Sequence, residues 1–317
     1  MAPLDANIER LLRKLSAVSA AARELTVAER RSGLEQLMAL GAGAPAVQRV
    51  EMRTLEGAAG PLQARVYTPQ RAAEAPLPGL LYFHGGGLVA GSLQSHDAVC
   101  RALTSATGCR LVSVGYRLAP EHPFPAAIED SLAALTWMSE HAGELGVDPQ
   151  RIGVAGDSAG ATLAATLCQI NRRTARACIA LQLLLCPILD VDARSASRRQ
   201  FARGYLLDQT VLDHDLKHYL RPGDDPADPR ISPLRCPDLS ALPPACIHTA
   251  ECDPMRDEGA AYARRLEGAG VRVSYRCHSG MIHLFYGLGA LVPYVAQAYE
   301  LIGSDVRAMW AHGGACQ

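Results

Sequence analysis

Short apolar runs alternate with segments of helical periodicity along most of the chain. Runs of strand length lie at 48–55, 62–68, 79–84, 110–115, 151–156, 179–186, 245–250 and 271–277. Helical spacing of apolar positions marks 126–141, 158–172 and 257–268. Because the later runs are apolar throughout and are separated by helices, they predict a mostly parallel, eight-stranded sheet with helices on both faces. The early, hairpin-like strands fit antiparallel pairing, and the predicted fold class is α/β.

Two segments depart from this alternation. Residues 1–46 contain amphipathic helices and end in the Gly/Ala/Pro stretch 41–46, which we interpret as a linker into a main domain at 47–317. Within that domain, residues 190–237 combine a charged helical stretch with a proline-rich one. This pattern predicts an insertion over the C-terminal edge of the sheet, so we expect one catalytic domain with a helical cap.

Charge and composition restrict the partners. The 31 Lys and Arg residues nearly balance the 32 Asp and Glu residues, leaving a net charge of -1. The charge therefore gives no reason to expect binding to nucleic acid or to an anionic membrane. Residues 277–299 lack these four residue types, but histidines, a proline and glycines interrupt them, which argues against a lipid span. Of the 10 cysteines, none form a CxxC pair, and many lie in apolar runs. Reduced core thiols and a cytoplasmic location are therefore expected.

The segment GDSAG, residues 156–160, stands where a predicted strand changes into a helix. A sharp turn at this junction holds Ser158 at a strained backbone position, where the flanking residues must be small. A serine hydroxyl becomes an effective nucleophile only when a base takes its proton and donors hold the oxyanion. The motif alone also fits an ordinary tight turn, so the interpretation as a nucleophile depends on those partners.

Candidate oxyanion donors follow an earlier strand, in the segment HGGG at 84–87. Successive glycines let the backbone fold closely and point N–H groups at a ligand. Gly85 and Gly86, together with the N–H of Ala159, are the predicted three-donor oxyanion hole. A phosphate-binding loop is the alternative, but no Lys followed by Ser or Thr comes after the glycines.

Candidate acid and base residues follow Ser158 near the ends of the last two strands. Asp253 lies in the loop after one strand, whereas Asp257 stands where it serves the first turn of the next helix. Asp253 is therefore predicted to orient the base. His283 lies in a glycine-flanked loop, while His278 ends the predicted last strand, so His283 is the predicted base.

A zinc site is the competing interpretation, in the segment HDLKH at 214–218. His214 and His218 share one face of a helix, with Asp215 in place of the usual glutamate. No third ligand follows at a characteristic spacing, and a charged surface helix explains the segment. We therefore predict neither a metal nor an organic cofactor.

Together the motifs resemble those of the hormone-sensitive-lipase-like esterases, bacterial family IV of the α/β-hydrolases. The resemblance covers roughly residues 48–303 and rests on FHGGG, YRLAPEHPFPAA, GDSAG, DPMRDEG and GMIH. It implies an α/β-hydrolase fold in which the N-terminal helices at 1–46 and part of the insertion at 190–220 form a cap that shapes the acyl pocket. It also implies ester hydrolysis by a triad of Ser158, Asp253 and His283. One departure is Leu284, because the family usually has glycine after the catalytic histidine.

The expected substrate is a small, neutral ester with a short to medium acyl chain. Leu88, Leu206 and Leu284 are predicted to line its pocket, and only 5% of residues are aromatic. An amide deacetylase or a lactonase would use the same groups. The alternative outside the enzymes is a non-catalytic receptor that binds a small ligand on this scaffold. The last strand, if it lies at a sheet edge, predicts a homodimer.

Overall fold

The computed structural model describes residues 3–18, 25–70, 76–174 and 177–311. One sheet forms its centre, with strands in the spatial order β1-β2-β4-β3-β5-β6-β7-β8. The strands are β1 (Arg49–Gly57), β2 (Gly60–Thr68), β3 (Leu77–Phe83), β4 (Arg110–Gly115), β5 (Val147–Asp157), β6 (Leu181–Leu185), β7 (Ala245–Cys252) and β8 (Val273–Ile282). Antiparallel pairs join β2 to β1 and to β4, and every other pair is parallel. The predicted eight-stranded, mostly parallel sheet is confirmed.

The central strands are apolar along their whole length because both faces of the sheet are covered. All five residues of β6 are buried. Along β3, Leu81 and Phe83 enter one hydrophobic cluster, while Leu80 and Tyr82 enter the cluster on the opposite face. Side chains alternate across a strand, so a strand buried on both sides has no polar positions to mark its period.

Nine α-helices occur in the described residues, and those that cover the sheet divide between its faces. They are α1 (Ala6–Val18), α2 (Val27–Leu40), α3 (Asp97–Thr107), α4 (Ala126–Glu140), α5 (Ala159–Thr174), α6 (Ala196–Gln200), α7 (Gln209–Tyr219), α8 (Arg256–Gly268) and α9 (Tyr294–Ala311). Helices α4, α5 and α8 supply the cluster on one face, and α3 and α9 supply the other. No helix among those described has the length and apolar character needed to cross a bilayer.

Helix α2, which precedes the main domain, is joined to the insertion that contains α6 and α7. It begins at a capping box, in which Glu29 N donates to Thr26 Oγ1 and Thr26 N donates to Glu29 Oε2. Arg30 of α2 then forms an ion pair with Asp215 of α7 at 2.8 Å. The two segments predicted to form a cap are therefore in direct contact.

Most of the described cysteines carry free thiols. Eight are free, and all of these except Cys277 are buried, as expected from their apolar sequence surroundings. Cys178 departs from the expectation of reduced thiols, because it is disulfide-bonded.

Candidate active site

Ser158 occupies the turn between β5 and α5 in a left-handed backbone conformation, with φ of +52°. Its own N–H donates to Leu185 O at 2.8 Å, which fixes the turn to the neighbouring strand. A Cβ on Gly156 would overlap the backbone of Gly160, and one on Gly160 would overlap Phe83 O. The small residues around the serine are therefore a steric requirement of the turn.

The structure brings Ser158, Asp253 and His283 together in one hydrogen-bonded line. His283 Nε2 lies 2.9 Å from Ser158 Oγ, and His283 Nδ1 lies 2.8 Å from Asp253 Oδ2. The other carboxylate oxygen of Asp253 accepts a hydrogen bond from Met255 N at 2.8 Å. All three triad side chains are buried. This is the arrangement in which a histidine takes a proton from serine while a carboxylate orients the ring.

The sheet itself sets the separation of the acid and the base. Cys252 and Ile282 are paired across β7 and β8, and Asp253 and His283 each follow directly after them. Because parallel neighbours lie about 4.8 Å apart, the two side chains meet across the end of the ladder.

His278 lies inside β8 and not at its end, because the strand continues to Ile282. Its ring contacts His248 at 3.1 Å and Tyr294 Oη at 3.0 Å, away from the serine. Burial lowers the pKa of His278 to about 4, so the ring is neutral near pH 7.

The prediction of Gly85 as an oxyanion donor is wrong. Its N–H donates to Asp157 Oδ1 at 2.9 Å and is therefore already used. Gly86 and Gly87 line the cleft beside Ser158, and no protein acceptor is found for their N–H groups among the described residues. Ala159 begins α5, so its N–H has no partner within the helix. Gly87, the last glycine of the HGGG segment, therefore replaces Gly85 in the candidate donor set.

Asp157 ties the glycine loop to the nucleophile turn. Besides the Gly85 N–H, its Oδ1 accepts a hydrogen bond from Tyr82 Oη, and His96 Nε2 lies 3.5 Å from Oδ2. Burial alone would raise the pKa of Asp157, but His96 and the Tyr82 hydrogen bond lower it below its usual value. The carboxylate therefore stays charged and fixes the loop that carries Gly86 and Gly87.

A mostly apolar cleft with about 840 Å³ of empty space opens at Ser158. Its apolar lining includes Leu88, Leu163, Ile188, Leu207, Leu212 and Leu284. The assignment of Leu206 to the pocket is wrong. The backbone turns through a φ of +75° at Leu206, which packs with Tyr205 against the core, and the following Leu207 lines the cleft instead. Leu284 adopts a φ of +62°, a conformation that glycine takes without strain.

A second, smaller cavity, with about 250 Å³ of empty space, also borders Ser158 and His283. Its lining includes Met38, Val99, Cys186 and Tyr286, and it shares Ser158, His283 and Leu284 with the larger cleft. Two spaces of different size therefore meet at the serine.

The HDLKH segment is engaged in protein contacts. Asp215 is held by Arg30, and His218 Nδ1 donates to His214 O at 2.8 Å. Another group of possible metal-ligand atoms, from Cys186, Asp253 and His283, lies within 4.8 Å of one another. Asp253 and His283, however, already hydrogen-bond to each other.

Comparison with known proteins assigns the chain to a family. A family model described as the alpha/beta hydrolase fold matches residues 80–287. The chain belongs to the α/β-hydrolase family. The carboxylesterase NlhH of Mycobacterium tuberculosis is 43% identical over 256 residues, which cover 79% of each chain. The carboxylic ester hydrolase LipN of the same organism is 44% identical over 74% of this chain, but the match spans only 64% of LipN.

Solved structures agree with this assignment. A hyperthermophilic esterase from Pyrobaculum calidifontis superposes on this hydrolase with a TM-score of 0.91 and 37% identity, covering 97% of this chain and 99% of that one. The predicted α/β-hydrolase fold, the resemblance to the hormone-sensitive-lipase-like esterases and the ester-hydrolase class are confirmed by these matches.

Proposed function

We propose that this hydrolase is a serine carboxylesterase that cleaves small esters with short to medium acyl chains through an acyl-enzyme. The observation that carries the proposal is the line of contacts from Asp253 through His283 to Ser158 Oγ, at 2.8 and 2.9 Å, beside uncommitted backbone N–H groups. A serine alone is a weak nucleophile, and this arrangement supplies both the base and the oxyanion donors that it needs.

In the proposed reaction, Ser158 Oγ attacks the acyl carbonyl carbon while its proton passes to His283 Nε2. The N–H groups of Gly86, Gly87 and Ala159 hold the oxyanion, and Asp253 stabilises the imidazolium. His283 then gives the proton to the departing alcohol. A water molecule, activated by the same ring, attacks the acyl-enzyme and releases the carboxylic acid.

The two cavities support an ester with groups of unequal size on its carbonyl. We propose that the larger group occupies the cleft and that the smaller group lies towards the second, much narrower cavity. Their apolar lining favours aliphatic chains over charged ones.

Serine-directed labelling tests the proposal. We expect a fluorophosphonate to label the wild-type protein at Ser158, and Ser158→Ala to remove both labelling and ester hydrolysis while the far-ultraviolet circular dichroism stays the same. A folded wild-type protein that is neither labelled nor active would favour the small-ligand receptor. Hydrolysis that a chelator abolishes and a fluorophosphonate does not would favour the HDLKH segment.

A panel of leaving groups separates the members of the class. We expect p-nitrophenyl esters of two to eight carbons to be cleaved faster than matched aryl amides and lactones. Amides or lactones with the higher kcat/KM would instead identify a deacetylase or a lactonase.

We propose that residues 1–46 and 190–237 form a cap over the catalytic domain. The contact of Arg30 with Asp215 supports this, because it joins the two segments at the cleft. Deleting the N-terminal segment should raise KM for the longest acyl chains most, and an unchanged chain-length profile would contradict the cap.

We also propose a homodimer formed through β8. The position of β8 at the sheet edge and the half-exposed Tyr275 support this proposal. Light scattering should give twice the chain mass, and a monomeric mass would contradict the dimer.

We further propose a cytoplasmic location. The buried free thiols support it, with Cys178 as the exception. Cell fractionation should recover the protein with cytoplasmic markers, and a secreted protein would contradict this location.

A further inference from the structure

A buried carboxylate lies against the loop that carries the proposed oxyanion donors. Asp215 comes from α7, and its side chain is only 6% exposed. A Cβ placed on Gly87 would overlap Asp215 Oδ2, so the carboxylate packs directly on the Cα of this glycine. Because Gly87 is a proposed oxyanion donor, a negative charge sits next to the place where another negative charge must develop.

Arg30 lies opposite this carboxylate and contacts both of its oxygens. Its Nε is 3.1 Å from Oδ1 and 3.1 Å from Oδ2, and its Nη2 is 2.8 Å from Oδ2. The Arg30 side chain is 12% exposed, so water screens the pair weakly. His214 Nδ1 also lies 3.1 Å from Oδ1. Of these groups, the guanidinium is the one that carries a fixed positive charge near pH 7.

We propose that Arg30 is a positioning residue for ester hydrolysis, which neutralises Asp215 and so protects the oxyanion site at Gly87 from its charge. The proposal rests on the esterase function proposed above. In the ground state the ester carbonyl is neutral, and in the tetrahedral transition state its oxygen is anionic. An unneutralised carboxylate nearby therefore destabilises the transition state more than the bound substrate, which lowers kcat and changes KM little.

The neighbouring arginine offers a matched control on the same helix. Arg31 Nε donates to Val89 O at 2.9 Å, Nη2 donates to Ala119 O at 3.0 Å, and the side chain pairs with Glu121. Arg31 thus fastens α2 to the main domain without contacting Asp215. If α2 acted only as a mechanical support, loss of either arginine would have the same kind of effect.

The experiment compares Arg30→Gln, Asp215→Asn and the double variant Arg30→Gln/Asp215→Asn on one p-nitrophenyl ester. We expect Arg30→Gln to lower kcat by ~10- to 100-fold with KM changed by less than about threefold. Adding Asp215→Asn should restore most of the lost kcat, because it removes the charge that Arg30 had neutralised. Arg30→Lys, which keeps the charge, should retain more activity than Arg30→Gln.

The control pair is Arg31→Gln and Arg31→Gln/Asp215→Asn, for which we expect no restoration. Equal losses in Arg30→Gln and its double variant, or no loss in Arg30→Gln, would overturn the shielding role. Thermal unfolding of each variant separates this role from misfolding. A misfolded Arg30→Gln would lower fluorophosphonate labelling and the melting temperature together. In that case the kcat of Arg30→Lys, which keeps the charge, is compared with that of the wild type and decides the question. A wild-type protein that hydrolyses no ester overturns the proposed function itself.

Discussion

Replacing Asp253 by asparagine tests the proposed triad most directly, because the structure dictates how the new amide must lie. Asp253 Oδ1 accepts from Met255 N and Oδ2 faces His283 Nδ1, both at 2.8 Å. Keeping the Met255 bond places the asparagine oxygen at the first position and its NH2 group against His283. The ring must then carry its proton on Nε2, where it donates to Ser158 and is unable to take the serine proton.

The size of the effect follows from two contributions. Loss of the carboxylate removes an attraction for the imidazolium worth about 4 kcal/mol at close range and an effective dielectric constant of 20. Turning the amide to recover the right tautomer leaves the buried Met255 N–H without an acceptor, at a cost of about 1–3 kcal/mol. Together they raise the barrier by about 5–7 kcal/mol, which lowers kcat by ~10⁴- to 10⁵-fold. Serine proteases lose activity on a similar scale after this change.

Initial rates on p-nitrophenyl butyrate at neutral pH would measure the loss, with thermal unfolding as the check on folding. Asp253→Ala is the matched control, since it removes the charge without presenting a donor to His283. We expect Asp253→Ala to lose no more activity than Asp253→Asn. A folded Asp253→Asn variant that keeps more than a tenth of the wild-type kcat would refute the assignment of the acid.

Three further changes have defined outcomes. Tyr82→Phe removes a donor from the buried Asp157 carboxylate, so urea unfolding should show a loss of about 1.5–3 kcal/mol, and an unchanged midpoint would contradict the network. Burial lowers the pKa of His248 to about 3 and that of His278 to about 4, below the unfolded value of about 6.5. As the pH falls, the unfolded chain therefore binds these protons before the folded chain does. The contribution of the two rings to the free energy of unfolding is complete above pH ~6.5 and should fall towards pH 4 by up to ~1.4 kcal/mol per pH unit for each ring. Urea titrations that give a flat profile would exclude this. Leu284→Gly relieves a positive φ and enlarges both cavities, so kcat should persist while the preferred acyl chain lengthens, and a panel of chain lengths that shows no shift would contradict the lining role.

The eight strands could be predicted because their apolar runs are bounded by turns, yet the end of β8 could not. The last strand runs five residues past the predicted 277, through Gly280 at a φ of +69°. A glycine in that position indicates a turn, but here it lies in an irregularity of the β7–β8 ladder, after which pairing resumes between Cys252 and Ile282. The same pairing explains why His278 lies within the strand.

The sequence motifs could predict that a glycine loop lies beside the serine, but not which N–H groups are free. The direction of the Gly85 N–H depends on Asp157, which lies 72 residues further along the chain. Arg30 and Asp215 were beyond prediction for a related reason. Charged residues on an amphipathic helix usually face water, and the contact between them spans 185 residues.

The pairing of Cys252 with Ile282 has a consequence for how this enzyme responds to its surroundings. Asp253 and His283 directly follow the last residue pair between β7 and the edge strand β8, so their separation depends on the geometry of this sheet edge. A molecule that bound along this edge and changed the twist of the two strands would therefore alter the distance between the acid and the base without entering the cleft.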